Sequence, residues 1–232
     1  MKVLTWNLEW AHPGSKREEV IRKVLAAADA DIICLTEAFP ATLPTQGHVI
    51  QGGLGNPVAD RKGAKKVLLW SCNPWLNAST EEAFSPPGRI VSGTTETELG
   101  RLQVFGVCIP WASSNTPRFG GERRLWEDHL GFLDSLQGRL RNLTASTIVL
   151  GDFNQRLPRR RQPSSVADKL EQALASTIVA TTNFRSQNGQ DTIDHIAHTA
   201  DLLVSKLCEL PRNGNGLRLS DHFGVMASIR AA

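Results

Sequence analysis

The 232-residue sequence has no tyrosine, only four cysteines and only two methionines. Cys34, Cys72, Cys108 and Cys208 lie far apart, three of them inside apolar runs, so neither a C-x-x-C metal pattern nor a dense disulfide framework is present. They read as reduced thiols. No stretch approaches the roughly 18 consecutive apolar residues that cross a bilayer. Met1 to Trp6 runs straight into a strand pattern, without the apolar core of a secretion signal. The cytoplasm is therefore the expected location. Charge is unextreme as well: 26 Lys plus Arg against 23 Asp plus Glu, net +3, permit a polyanionic partner without demanding one. With 41% hydrophobic residues, disorder and fibre are excluded, and the length suffices to bury a core. No internal repeat or long linker shows, so a single domain over residues 1–232 is expected.

What the sequence does hold is a series of short apolar runs rich in Val, Ile and Thr, over 2–8, 31–35, 66–71, 89–95, 101–109, 147–150, 177–181, 192–197 and 223–229. These read as strands. Ser15 and Glu18 form a capping box before Val20, Ile21, Val24, Leu25 and Ala28 at helical spacing. A second helix is expected over 121–142, where Leu125, Trp126, His129, Leu130, Leu133, Leu136 and Leu140 make one stripe, and a third after Ser164 and Ser165. Stretches 46–63, 73–89, 113–121 and 156–165 read as loops. The outline is α/β with much antiparallel pairing. Basic residues cluster at Arg61, Lys62, Lys65 and Lys66, at Arg118, Arg123 and Arg124, and at Arg156, Arg159, Arg160 and Arg161. Taken singly, each cluster is a solvated face.

Polar residues collect at the strand ends. Asn7 sits in an otherwise apolar strand, and Glu37 finishes a buried one, where a carboxylate is costly unless a cation or donors compensate it. The run Thr147 to Leu150 stops at Gly151 and presents Asp152 and Asn154 on one side of an extended segment, a pair suited to gripping a water. Asp194-His195 and Asp221-His222 are each flanked by apolar residues, which places imidazoles at the rim of a core.

In this order, the Trp6-Asn7 strand, Leu35-Thr36-Glu37, Gly151-Asp152-Phe153-Asn154, Ile193-Asp194-His195-Ile196 and Ser220-Asp221-His222 resemble the endonuclease/exonuclease/phosphatase superfamily. That group includes exonuclease III-like apurinic endonucleases, DNase I, neutral sphingomyelinases and inositol polyphosphate 5-phosphatases. The resemblance implies a DNase I-like, four-layered α/β sandwich: two facing, mainly antiparallel sheets flanked by helices, with the site at one rim. It also implies metal-assisted hydrolysis of a phosphate ester. Carried over, Glu37 becomes the main Mg²⁺ ligand, helped by Asn7 and Asp221, with Mn²⁺ as a substitute. Asp152, with Asn154, orients and deprotonates the attacking water. His222, held by Asp194, donates to the phosphate. The resemblance leaves open whether Asp152 or His222 is the formal base, and the expectation adopted is Asp152. Relatives usually place a Tyr or His where Cys108 falls, which leaves the departing oxygen to water on the metal, His129 or Arg123. By its helical position, His129 reads as a core histidine.

Arg156, Arg159, Arg160 and Arg161 directly follow the Asp152 turn, and arginine forks suit phosphates. Trp10, Trp111 and Phe119 fall in or beside rim loops, where rings stack on bases. The leading expectation is a nuclease or phosphodiesterase acting on DNA or RNA. The alternatives are a phosphatase for a phosphorylated small molecule or lipid headgroup, and a silent binding module on the same scaffold. No membrane association and no obligate protein partner are expected.

Overall fold

A computed structural model describes residues 1–53, 61–143 and 145–232, so the loop expected over 46–63 lies partly outside the described residues. In chain order the elements are β1 (Lys2–Asn7), α1 (Lys16–Ala28), β2 (Ile32–Ala38), β3 (His48–Gln51), β4 (Lys65–Ser71), β5 (Trp75–Ser79), β6 (Ile90–Thr97) and β7 (Gly100–Cys108). They continue with α2 (Glu127–Leu140), β8 (Thr147–Asp152), α3 (Ser164–Ala173), β9 (Ile178–Val179) and β10 (Asp194–His198). The chain closes with β11 (Leu202–Leu210), β12 (Asn213–Gly214), β13 (Leu217–Arg218) and β14 (Gly224–Ala231).

Alternate residues of the long strands divide the core into three layers. Val3, Ile32, Val67 and Leu69 face Val104, Ile148, Leu150 and Ile196 between the sheets. Their neighbours Leu4, Trp6, Ile33 and Leu68 point outward onto Ile21 and Leu25 of α1. On the far side Phe105, Val107 and Val149 pack under Phe132, Leu133 and Leu136 of α2 and Leu170 of α3. The period of two thus makes strands buried on both faces, which is why they read as continuous apolar runs. The result is the four-layered α/β sandwich. Two six-stranded sheets, ordered β11-β14-β1-β2-β4-β3 and β5-β6-β7-β8-β10-β9, lie between helices. Each is antiparallel but for one parallel pair, β1–β2 and β7–β8.

Helix α1 starts where the Ser15 hydroxyl accepts from the Glu18 amide, and Asp29 ends it in the left-handed conformation. Glu18 reaches back to the Gly14 amide rather than to Ser15, one residue beyond the expected box. Burying Ile21 and Leu25 contributes roughly 1.5–3 kcal/mol each.

Several sequence expectations are corrected. The stretches read as loops over 46–63 and 73–89 contain β3 and β5, and β11 was not anticipated. All three are sheet edges. An edge strand buries less, so its apolar signature is weak. Helix α2 begins at Glu127 rather than near 121, because Trp126 takes a φ of 68° that no helix accommodates, and Leu125 is left 61% exposed outside the stripe. Among the described residues, no helix is long and apolar enough to cross a membrane.

Candidate active site

Two parallel pairs set the site. In β1–β2 the register places Asn7 beside Thr36, and in β7–β8 it places Cys108 beside Asp152. On the other side of β8, Asp194 lies directly across from Asp152. The two sheets therefore present their polar strand ends at the same edge of the sandwich.

Gly151 makes the turn into this edge possible. Its φ of 145° is in the glycine region, and a Cβ there would lie 1.8 Å from the Val107 carbonyl oxygen. Asp152 follows, almost wholly buried, and its carboxylate accepts from three N–H groups. Oδ1 takes the Asn154 amide at 2.9 Å, while Oδ2 takes Asn154 Nδ2 and Asn7 Nδ2 at 3.0 Å each. Asn7 is turned the right way because its Oδ1 accepts from the Glu9 amide at 2.9 Å. Asn154, at φ 53°, also donates to the Ile109 carbonyl. Burial pushes Asp152 up to about 7; the His222 charge opposes the rise, and Asp194 and Glu37 add to it.

His222 stands opposite. Its Nδ1 lies 2.6 Å from Oδ2 of Asp194, and Ser220 locks the loop by donating to the Asn7 carbonyl at 2.7 Å. Burial alone would strip the ring of its charge. The contact with Asp194, joined by Asp152 and Asp221, outweighs burial and lifts His222 to about 10. Burial also raises Asp194, which by itself would favour a neutral pair. The ion pair prevails because three carboxylates surround one imidazole, so the proton is held on the ring. Asp194 Oδ1 is buried with no hydrogen-bond partner among the described residues.

Glu37 takes a φ of 50° at its strand end, and its Oε1 accepts from Lys66 Nζ at 2.6 Å. Asp221 is more open, with 46% of its side chain exposed and Oδ1 at 3.8 Å from His222 Nε2. Among the described residues, the acid and imidazole atoms that converge most closely, within 4.8 Å of one another, are those of Asp152, Asp194 and His222. Glu37, Asn7 and Asp221, expected as metal ligands, border this cluster rather than form it. Glu37 and Asp221 act on it by charge and Asn7 by its hydrogen bond.

The arginines separate. Arg156 lines a cleft of about 560 Å³ with Asp194, Asp221 and His222. Arg160 is held at 2.9 Å by Asp191, which also takes Arg185. Arg159 donates to the Gln162 carbonyl, and Arg161 is exposed. Trp111 is 42% exposed and meets Phe119 edge-on at 4.7 Å. Sequence reasoning missed Arg212, which lines the same cleft from the β11–β12 turn, and Lys66, which it read only as part of a basic cluster.

Neither group offered in place of the missing phenol reaches the centre. His129 is fully buried between the Pro110 carbonyl and Gln155, and burial lowers it to about 4. Arg123 is taken by Glu127 and Asp128. His195, partner of Asp194 in the sequence, turns to the opposite face of β10, where Thr181 and the Gln155 carbonyl hold it and burial lowers it to about 4. Only one of the two Asp-His dipeptides thus supplies an imidazole to the site. Cys108 is buried too, and burial pushes its thiol up to about 12 against the nearby charges of Lys66 and Arg89.

The fold is similar to that of a humanised D. rerio TDP2 carrying 14 mutations, with 13% identity, coverage of 99% of this chain and 98% of that one, and a TM-score of 0.72. It is also similar to an AP endonuclease from Archaeoglobus fulgidus, with 14% identity, 98% of each chain covered and a TM-score of 0.68. A mannosyl-6-phosphatase from Bacteroides thetaiotaomicron VPI-5482 gives 16% identity, 99% of each chain and a TM-score of 0.70. No curated protein sequence matches the chain. The sequence profile of the Endonuclease/Exonuclease/phosphatase family, however, matches residues 4–222. From β1 to His222, the chain belongs to the endonuclease/exonuclease/phosphatase family.

Proposed function

We propose that the chain is a Mg²⁺-dependent phosphodiesterase that cleaves nucleic acid, with residues 1–232 working as one catalytic unit. The observation that carries this reading is the convergence of Asp152, Asp194 and His222 within 4.8 Å, where burial pushes the Asp152 carboxyl up to about 7 and the acids around His222 lift its ring to about 10. Groups whose acidities are set this way divide the work of base and donor.

The donors present fit a hard cation. Asn7, Glu37, Asp152 and Asp221 offer oxygen, the Cys108 thiol is buried and protonated, and the four acids Glu37, Asp152, Asp194 and Asp221 lie close enough to act on one another. Glu37, Asn7 and Asp221 would hold Mg²⁺. When bound, such a cation supplies neutralisation of the phosphate charge and of the departing oxygen. The rest falls to the chain. Asp152, pinned by Asn7 and Asn154, orients a water in line with the departing oxygen and accepts its proton. His222 keeps its Nδ1 on Asp194 and donates from Nε2 to a phosphate oxygen as charge builds. With the proton held on His222 by its acid neighbours, this reading takes Asp152 as the base. Arg156, with Arg159 and Arg161 further out, holds the flanking backbone, and Trp111 stacks on a base.

A second reading, a phosphatase for a phosphorylated small molecule, is favoured by Arg156 and Arg212 lining one cleft with His222, a shape suited to a compact anion. A silent binding module is less favoured, since Glu37, Asp152, Asn154, Asp194 and His222 are all present. Purified protein is expected to nick supercoiled plasmid with Mg²⁺ and to stop with EDTA. Release of phosphate from nucleotides or sugar phosphates, with plasmid, single-stranded DNA and RNA untouched, would replace the first reading by the second. No hydrolysis of any of them would leave the binding module.

A further inference from the structure

The chain holds six tryptophans and eight phenylalanines, all of them among the described residues, and only Trp111 and Phe119 are exposed. These two touch each other, with ring centres 4.7 Å apart and planes at 68°. Every other ring is buried or half-buried. An apolar pair left in water while the rest of its kind is packed away marks a contact surface rather than a core.

The loop that carries the pair is a built frame. Asp128, buried in the first turn of α2, accepts from the Ser114 hydroxyl at 2.8 Å and from Asn115 Nδ2 at 2.6 Å. The chain closes on itself where the Arg123 amide donates to the Asn115 carbonyl at 2.9 Å and the Trp126 amide to the Ala112 carbonyl at 2.7 Å. A Cβ on Gly121 would lie 2.1 Å from the Asn115 carbonyl oxygen, so the closure needs glycine there. Rings held on such a frame lose little freedom when a ligand arrives.

The frame is fastened to the turn that carries Asp152. Ile109, two residues before Trp111, donates its amide to the Asp152 carbonyl at 2.8 Å, and its own carbonyl accepts from Asn154 Nδ2 at 2.9 Å. His129 holds the next carbonyl, that of Pro110, at 2.6 Å. Trp111 is therefore within about 7 Å of chain from that turn. Charge favours the same occupant as the rings do. Arg118 lies over Phe119, 5.6 Å from the ring centre, with no ion-pair partner among the described residues. Paired rings beside an uncommitted cation suit a nucleobase joined to its phosphate. Within a duplex the faces of each base are covered by its neighbours, and only the edges reach a protein. An unpaired base offers a face.

Resting on the nucleic acid reading above, we propose that Trp111 and Phe119 form the wall for an unpaired nucleobase next to the scissile phosphate, with Arg118 on the adjoining phosphate, and that the substrate is single-stranded nucleic acid. Supercoiled plasmid is cut where its strands open. The two rings select the substrate and take no part in breaking the bond.

The test measures binding with Mg²⁺ present, in the full chain carrying Asp152→Asn to slow hydrolysis. Fluorescence anisotropy follows three labelled probes: a short DNA strand, the same sequence as a duplex, and a strand of the same length made of abasic deoxyribose phosphates. The Asp152→Asn chain should bind the strand on the order of tenfold or more tightly than either other probe. Adding Trp111→Ala or Phe119→Ala should weaken the strand by roughly 5- to 150-fold and leave the duplex and the abasic strand unchanged. Trp111→Phe, which keeps a ring, should recover most of the loss. Equal weakening on the strand and the abasic strand would mean a role in the fold of the loop and overturn the proposal. So would unchanged binding, or no preference for the strand in the first place. A dimer that dissociates in Trp111→Ala, seen by sedimentation while strand binding holds, would make the pair a contact between copies and overturn it too. If the unaltered chain cleaves no nucleic acid, the proposed function itself fails and takes this inference with it; if it cleaves nucleic acid and the ring variants bind as before, this inference alone fails.

Discussion

Asn7 and Asp152 meet across the gap between the two sheets: the Asn7 side-chain amide donates to Oδ2 of Asp152 over 3.0 Å, joining residues 145 positions apart. One strand end from each sheet thus fixes a single carboxylate rotamer. Asp194 and His222 repeat the pattern at 2.6 Å, one from β10 and the other from the loop that leads into β14 of the facing sheet. The chemistry proposed for the site depends on these two clasps.

Asp152→Asn and Glu37→Gln are each expected to lower kcat by on the order of a hundredfold or more, because the first removes the proton acceptor and the second a charge on the metal side. Steady-state turnover on plasmid or a dinucleotide, checked against unchanged circular dichroism, decides it. Near-normal turnover in either variant would move the site elsewhere.

The pH profile of kcat/KM should be bell-shaped. Activity rises as pH passes about 7, where Asp152 loses its proton, and falls as it passes about 10, where His222 loses its own. Asp194→Asn removes the strongest support of the imidazolium, so the alkaline limb should move to lower pH. An alkaline limb that stays in place would show that His222 is not the group observed.

Arg156→Ala should raise KM and flatten the salt dependence of nucleic acid binding more than Arg160→Ala. Arg156 lines the cleft, whereas Arg160 is already engaged by Asp191. Filter binding across a salt series measures both slopes. Equal slopes for the two variants would return Arg156 to plain surface.

Gly151→Ala is expected to destabilise the fold by about 3 kcal/mol, since the new methyl would strike the Val107 carbonyl at a φ no other residue favours. At this chain length that corresponds to a Tm lower by roughly 6–12 °C in calorimetry. A Tm within a degree of the parent would mean that β7 and β8 separate more easily than their register suggests.

The polar strand ends were legible in the sequence because an apolar run that stops at Asn7, Glu37 or Asp152 has no packing reason to do so. Which acid serves which imidazole is legible only through the family resemblance, which gives Asp194 to His222; the residues by themselves do not say it. Asp194 precedes His195 in the chain but pairs with His222, because alternation along β10 sends neighbours to opposite faces. Lys66 looked like surface for a similar reason: its partner is 29 positions away, brought across by the β2–β4 register. Nothing near Arg160 in sequence announces Asp191, so it reads there like its neighbours. Edge strands β3, β5 and β11 escaped because pairing on one side only lets polar residues intrude.

The sheet β5 to β10 is drawn wholly from residues 75–198, while the strands of its partner come from the two flanks of that stretch. Asn7, Glu37 and His222 belong to the flanks; Asp152 and Asp194 belong to the middle. During synthesis the middle segment can be complete while its two acids still wait for an amide and an imidazole, the second of which arrives only with residue 222. On the proposed function, a chain that has not yet closed its flanks around the middle segment lacks one half of each clasp, and the onset of hydrolysis would time that closure.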